Sequence, residues 1–376
     1  MSNGVSIAGL RPPSTTVDWL KVVLTVTVGG LIYYAYCVQR MEGPANSPYT
    51  WLVGHWRSVS NYSHGPLIPF IASLLMWWNL SKLTQATSAD WKPYWIAFGC
   101  SVGVLLLPEL VNHVRTAWYS QAYRTAVSIA PILFAWQVWA VRGQLGALRQ
   151  PPTSVGIALV LLATMIYYAG IKAAQTHSVI ISFVLLLYGL ALTLGGRRIF
   201  QMLFLPITFL FLMVPLNFLD EMVGFPLRMM VAKAATATLN WLGIPTIRAG
   251  TGIYSSVFRF DVADPCSGIR SLMALTTVTA AYAYVTQHAQ WKRWVLFLSA
   301  MPLAVLGNMA RVVTIALVAQ VYGQEVATKA YHDYSGYIVF GVALSAMVIF
   351  GLLLNFPYRR VWQSWMQPVP RKETLE

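Results

Sequence analysis

The stretch Ser178–Gly195 reads SVIISFVLLLYGLALTLG, 18 residues without a charged side chain. A helix rises 1.5 Å per residue, so this stretch spans about 27 Å, close to the roughly 30 Å hydrocarbon core of a bilayer. Similar runs recur along the chain and predict about ten transmembrane helices. They cover residues 17–37, 65–81, 93–112, 122–141, 153–171, 178–195, 199–216, 268–287, 294–320 and 333–356.

The composition indicates the same class of protein. Of the 376 residues, 57% are hydrophobic and 10% are charged, and the mean hydropathy is +0.58. Soluble domains carry about 25% charged residues. The net charge of +14 is scattered along the chain, as expected for cationic loops beside lipid headgroups and not for a nucleic-acid module. We therefore expect an all-α polytopic membrane protein with membrane lipids, and no nucleic acid, as partners.

One membrane domain is predicted over residues 1–376. Within segment 217–265, residues 222–242 form a Met- and Ala-rich helix, which we expect in the outer interface because charges near the centre of a span cost a few kcal/mol each. The partial alternation of Ile253–Val262 predicts a small β-hairpin before Cys266. The parts are the N-terminal helices 17–216, the interfacial segment 217–265, the catalytic helices 266–356 and a cytoplasmic tail 357–376.

The orientation follows from the number of spans and the loop charges. Ten spans place both termini on one side, and that side receives more of the basic residues, including Arg359 and Arg360 of the tail. The positive-inside rule therefore predicts cytoplasmic termini. Cys266, Arg311 and His332 then all lie at the outer face.

These three side chains suggest an enzyme. Cys266 follows Asp264 in a polar segment ahead of an apolar run, and a neighbouring base such as His332 activates a thiol as a nucleophile. Arg311, within an apolar run, offers five donors to an oxyanion or a carboxylate. A carboxylate third member is either Asp264 or Asp333, and the sequence does not choose between them.

Six further residues are candidates for substrate binding because each is polar or basic and is predicted near the outer face. They are Ser267, Arg270, Asn308, His64, Arg248 and Arg259. For His64 a structural role is an equal alternative. Cys37 and Cys100 lie in apolar runs and are expected to pack as small hydrophobes. Without a CxxC or HExxH pattern, the sequence predicts no metal site and no cofactor.

Two other functions compete with a cysteine enzyme. A transporter fits the polytopic composition, but repeated halves and midplane carboxylates, which are typical of transporters, are poorly matched. A lipid-linked polysaccharide assembly factor or acyltransferase would use histidine and arginine on a lipid-linked substrate. Neither requires a thiol, so replacing Cys266 with Ser discriminates between them and the enzyme.

Three segments together are similar to a known family. Cys266-Ser267-Gly268-Ile269-Arg270-Ser271-Leu272, then Asn308-x-x-Arg311-Val312, then His332-Asp333-x-Ser335-Gly336-x-x-x-Phe340 resemble the exosortases and archaeosortases. Tyr62–Pro69 also looks like a family segment, and the similarity runs from about residue 50 to residue 356.

The resemblance implies a membrane cysteine protease or transpeptidase of the bacterial inner membrane, with its active site facing the periplasm. Its partners would be secreted proteins that end in a short motif such as Pro-Glu-Pro, a transmembrane helix and an Arg-rich tail. By this match Cys266 is the nucleophile, Arg311 the clamp for the transition state or a carboxylate, and His332 the acid and base. A thioester would form, and a lipid-linked or polysaccharide-linked acceptor amine would resolve it.

Overall fold

The structure is a computed structural model that describes residues 19–41, 47–56, 62, 64–84, 90–110, 117–215, 220–262, 269–327 and 332–356. Most of these residues are helical. The helices are α1 Trp19–Tyr33, α2 Pro48–His55, α3 Leu67–Thr84, α4 Lys92–Leu110, α5 Ala117–Ala140, α6 Arg142–Ala147, α7 Ser154–Lys172, α8 Thr176–Leu190, α9 Gly196–Phe209, α10 Phe225–Trp241, α11 Ile269–Thr286, α12 Gln290–Tyr322 and α13 His332–Asn355. Short π or 3₁₀ turns extend several of them, at Tyr34–Val38, Ala191–Gly195, Leu210–Met213 and Asp220–Gly224.

Within the described ranges, four helical stretches are long and apolar enough to cross a membrane: Ser154–Lys172, Thr176–Met213, Gln290–Tyr322 and Ile338–Asn355. Shorter apolar helices cover Val23–Val38, Leu67–Leu83, Ile129–Ala140 and Leu272–Thr286. The chain is thus a mostly helical membrane protein, as predicted, while the number of about ten spans stays a prediction.

The stretch Thr176–Met213 folds back on itself. Tyr188 of α8 stacks on Phe204 of α9 with ring centroids 5.6 Å apart, whereas 16 residues of straight helix would separate them by about 24 Å. The reversal lies at Gly196. Its φ of +78° is a conformation that glycine adopts readily and other residues rarely, and the absence of a side chain leaves room for Gln150. The sequence predicts a break at this point, between the runs 178–195 and 199–216.

Helices α11 and α13 run side by side in the same direction. Thr279 of α11 donates a buried hydrogen bond of 2.9 Å to the sulfur of Met347 on α13. One turn further along α11, the Tyr282 ring lies over Gly351, where a Cβ would come within 2.7 Å of the ring. Because both contacts advance together along the two helices, the N-termini of α11 and α13 lie at the same end of the bundle.

A small antiparallel sheet precedes α11. Strands β1 Ile247–Ala249, β2 Gly252–Tyr254 and β3 Arg259–Asp261 pair in the order β1-β2-β3. The structure therefore has three strands where the sequence predicts a single hairpin over 253–262. The additional strand forms because Gly250, with a φ of +62°, reverses the chain between β1 and β2.

Helix α10, the sheet and the C-terminal half of α12 share one apolar cluster, here called the α10–α12 core. Its members are Val231, Ala232, Ala235, Leu239, Ile244, Ile253, Phe258, Val262, Val312, Val313, Ile315, Ala316, Ala319 and Ala327. Burial of branched side chains contributes about 25 cal/mol per Å² of apolar area, so this core fixes the sheet against α12. Helix α10 occupies the place of the predicted interfacial helix 222–242, and its depth in the membrane stays a prediction.

The N-terminal helices meet α11 through α3. Asn79 of α3, which is buried, accepts a hydrogen bond of 2.8 Å from the Tyr284 hydroxyl of α11. The same Asn79 donates a bond of 2.9 Å to the Met202 carbonyl of α9. One amide therefore joins three helices, which fixes the N-terminal bundle against the helices that follow the sheet.

Candidate active site

Arg311 lies far along the longest described helix. Helix α12 has 33 residues, about 50 Å at 1.5 Å per residue, which exceeds the roughly 30 Å bilayer core. Arg311 comes about 32 Å after Gln290 on this scale. Residue Arg311 is half-buried, and its guanidinium lies against Gly336 of α13, where a Cβ would be 3.6 Å from Nη2. The charge therefore sits at a helix–helix contact near one end of the bundle.

That contact brings Arg311 to the first turns of α13. His332 is the first residue of α13, and Gly336 follows four residues later. Residues four apart lie on the same face of a helix. The guanidinium of Arg311 therefore meets the helix face on which His332 begins, although the side chains of His332 and Asp333 lie outside the described ones.

Cys266, Ser267 and Asp264 lie outside the described residues, but both flanks of their segment are placed. Val262, on the upstream side, is 1% exposed in the α10–α12 core. On the downstream side α11 begins at Ile269, at the same end of the bundle as the start of α13. Arg270 lies in the first turn of α11, and its side chain is not among those described.

One core supports all three segments. The α10–α12 core contains Val262, four residues before Cys266; Val312, next to Arg311; and Ala327, five residues before His332. Since these residues pack together and are almost fully buried, the structure brings together three residues that lie within five positions of the predicted catalytic residues. Sequence separation alone does not reveal this, because Val262 and Ala327 are 65 residues apart.

Asn308 lies one turn before Arg311 on α12. It is 5% exposed, whereas Arg311 is half-buried. Positions three apart share a helix face, so Asn308 lies beneath Arg311. This places an amide in the layer below the guanidinium.

Arg248 and Arg259 lie on the sheet and are exposed. Arg248 donates a hydrogen bond of 2.7 Å to the carbonyl of Gly250. The Arg259 guanidinium lies 4.9 Å from the ring centroid of Tyr254, a cation–π contact. Both cations are therefore held at the surface of the sheet that leads to Cys266.

His64 belongs to the N-terminal bundle. It lies in the turn before α3, is 4% exposed and has a buried Nδ1 without a hydrogen-bond partner. Burial lowers the pKa of His64 to about 4, opposed by a hydrogen bond to the Leu212 backbone. His64 is therefore neutral near pH 7, with the environment of a packed side chain.

The structure adds one polar residue that the sequence does not single out. The Gln324 carboxamide, in the turn Gln324–Val326 after α12, makes two hydrogen bonds to the backbone of Arg259 on β3. Two residues 65 positions apart give no local pattern. Within the described part of the chain, no group of three or more His, Cys, Asp or Glu side chains is placed to hold a metal ion.

Fold and residues together define a polytopic helical membrane protein in which α11, whose first residue comes three positions after Cys266, begins at one end of the bundle. The chain belongs to the transmembrane exosortase family, since the family model described as "Transmembrane exosortase" matches residues 118–350, more than half of the chain. The match includes Cys266, Arg311 and His332 and begins after Tyr62–Pro69. No curated protein and no solved structure matches the chain. Membership indicates a membrane cysteine transpeptidase that acts on sorting signals.

Proposed function

We propose that this protein cleaves the C-terminal sorting signals of secreted proteins by way of a thioester on Cys266. The observation that supports the proposal is the α10–α12 core, which contains a residue within five positions of each of Cys266, Arg311 and His332. A nucleophile, a base and a cation from three distant parts of a sequence serve one reaction only if the fold brings them together.

Chain length limits how far Cys266 lies from the described helices. Cys266 and Ile269 are three positions apart, so at most about 3.6 Å per position keeps their Cα atoms within about 11 Å. Ile269 begins α11 at the end of the bundle where α13 begins with His332. The Arg311 guanidinium contacts that part of α13. These relations support one site formed by all three residues.

The reaction uses each residue in turn. His332 accepts the thiol proton, and the Cys266 thiolate attacks the carbonyl carbon of the scissile peptide bond. Arg311 stabilises the oxyanion that develops. The carbon–nitrogen bond then breaks, the leaving amine takes the proton from His332, and a thioester remains. An acceptor amine then attacks the thioester and gives its proton to His332, and the carbon–sulfur bond breaks to regenerate the thiolate. Asp264 or Asp333 orients His332.

The substrate is a secreted protein with a short motif such as Pro-Glu-Pro, a transmembrane helix and an Arg-rich tail. Its helix docks beside the bundle in the inner membrane, and its motif reaches the periplasmic face. The exposed cations Arg248 and Arg259 on the sheet attract an acidic motif residue, a contact that salt screens. Ser267 and Arg270 line the motif near the nucleophile, and the buried Asn308 lies in the layer beneath Arg311.

Capture of the thioester tests this proposal. Purified protein is incubated with a substrate peptide without an acceptor amine, digested, and searched by mass spectrometry for modified cysteine peptides. We expect an adduct on the Cys266 peptide that hydroxylamine removes, and none on the Cys100 peptide. An adduct on a cysteine other than Cys266, or equal substrate cleavage by Cys266→Ala, would rule out this route.

A further inference from the structure

The Gln324 side chain joins two chain segments that lead to the candidate site. The backbone N–H of Arg259 donates to Gln324 Oε1 at 3.1 Å, and Gln324 Nε2 donates to the Arg259 carbonyl at 3.1 Å. The carboxamide thus pairs with β3 as a further strand would, covering part of an edge of the sheet. The oxygen and the nitrogen of the Gln324 carboxamide therefore both pair with the backbone of a single residue, Arg259.

Each of the joined segments continues to a predicted catalytic residue. From Arg259 the chain runs through the buried Val262 to Cys266. From Gln324 it runs through the buried Ala327 to His332. Val262 and Ala327 belong to the same α10–α12 core. The two segments are therefore joined twice, by this buried core and by the hydrogen bonds of Gln324 at the surface.

Gly323 directs the Gln324 side chain towards the sheet. Helix α12 ends at Tyr322, and Gly323 has a φ of +86°, a conformation that residues with a Cβ rarely adopt. The chain therefore turns sharply between α12 and Gln324. Because of this turn, the side chain of Gln324, which follows α12 closely in sequence, reaches the edge strand β3.

We propose that Gln324 is a positioning residue that sets the spacing between the segment carrying Cys266 and the segment carrying His332. The proposal rests on the proposed function, in which those two residues exchange a proton. Gln324 acts through the backbone of β3 and does not touch the substrate. A small shift between nucleophile and base reduces turnover strongly, because reacting groups must be closely aligned.

The chemistry of the carboxamide predicts an order of variants. Gln324→Ala removes both bonds, and Gln324→Glu places a carboxylate against the Arg259 carbonyl, so both should lower turnover by about tenfold. Gln324→Asn keeps donor and acceptor on a shorter side chain and should restore part of the loss. Gln201→Ala, at another exposed glutamine, is the matched control and should behave as the wild type.

The test measures the rate at which a neutral maleimide alkylates Cys266 as a function of pH, in purified protein with Cys37→Ser and Cys100→Ser. We expect Gln324→Ala to raise the pH at half-maximal rate, because the thiol loses part of its base, and Gln201→Ala to leave it unchanged. A partly unfolded variant would expose Cys266 as an ordinary thiol and would also raise this pH, so the shift is read only from variants whose thermal unfolding midpoint equals that of the wild type. An unchanged midpoint in Gln324→Ala, with Cys266 still essential for cleavage, would overturn the positioning role alone; cleavage by Cys266→Ala would overturn the proposed function with it.

Discussion

At the scale of single residues, the contact between Arg311 and Gly336 is the most specific feature of the site. A Cβ at Gly336 would lie 3.6 Å from Arg311 Nη2, an ordinary van der Waals distance. Gly336→Ala should therefore keep most of the processing rate. The branched side chain of Gly336→Val displaces the guanidinium and should lower the rate by about tenfold or more, since misplacement of a catalytic group is costly.

The matched control for this change is Gly341→Val. Gly341 lies on the same helix, and a Cβ there meets nothing within 4 Å. Processing of a sorting signal is measured by intact mass at equal amounts of membrane protein. Equal losses in the two valine variants would assign the effect to α13 as a whole and contradict the role of the Arg311 contact.

His64 makes a separate prediction about acid stability. Its folded-state pKa of about 4 lies below the ordinary value of 6.5, so the unfolded chain binds the proton first as the pH falls. Stability is fully present above about pH 6.5 and is lost towards pH 4, by at most about 3 kcal/mol. The thermal unfolding midpoint in detergent should thus fall less steeply over this range in His64→Asn than in the wild type. His288→Asn, at an exposed site, is the control, and its unfolding midpoint should fall as that of the wild type does. An equal fall of the midpoint in His64→Asn and in the wild type would refute the prediction.

At the scale of elements, Asn79 joins α3, α9 and α11. Asn79→Leu leaves the Met202 carbonyl and the Tyr284 hydroxyl without their bonds, and buried polar groups that lose a partner cost about 1–3 kcal/mol. We expect a lower unfolding midpoint for Asn79→Leu than for Tyr284→Phe, which removes one bond only. Ser81→Ala, which breaks a bond within α3, is the control. A midpoint for Asn79→Leu equal to that of this control would contradict the account.

The elements also show how far sequence alone reaches. Uncharged apolar runs predict helices because a bilayer demands internal hydrogen bonds, and the reversal at Gly196 follows from the break between two such runs. Strand β1 has three residues, too few for an alternation to be visible, so the sheet is predicted as a single hairpin. Arg311 is recognisable as a charge within an apolar run, but its neighbour Gly336 and the pairing of Gln324 with Arg259 depend on contacts between distant residues.

At the scale of the whole molecule, the predicted orientation places the sheet outside and the turn between α11 and α12 inside the cell. Ser256 lies in an exposed turn of the sheet, and His288 is exposed between those helices. In a chain with all three native cysteines replaced by Ser, a membrane-impermeant maleimide should label Ser256→Cys in intact bacteria and His288→Cys only after permeabilisation. The reverse pattern would place the candidate site on the cytoplasmic side.

The most direct test of thiol-dependent processing is the intact mass of a co-expressed secreted protein that ends in Pro-Glu-Pro, a transmembrane helix and an Arg-rich tail. The wild type, Cys266→Ala and Cys100→Ala are compared at equal membrane levels. We predict loss of the helix and tail with the wild type and with Cys100→Ala, and a full-length substrate with Cys266→Ala. Equal loss of the tail in Cys266→Ala would contradict the assignment of Cys266 as the nucleophile.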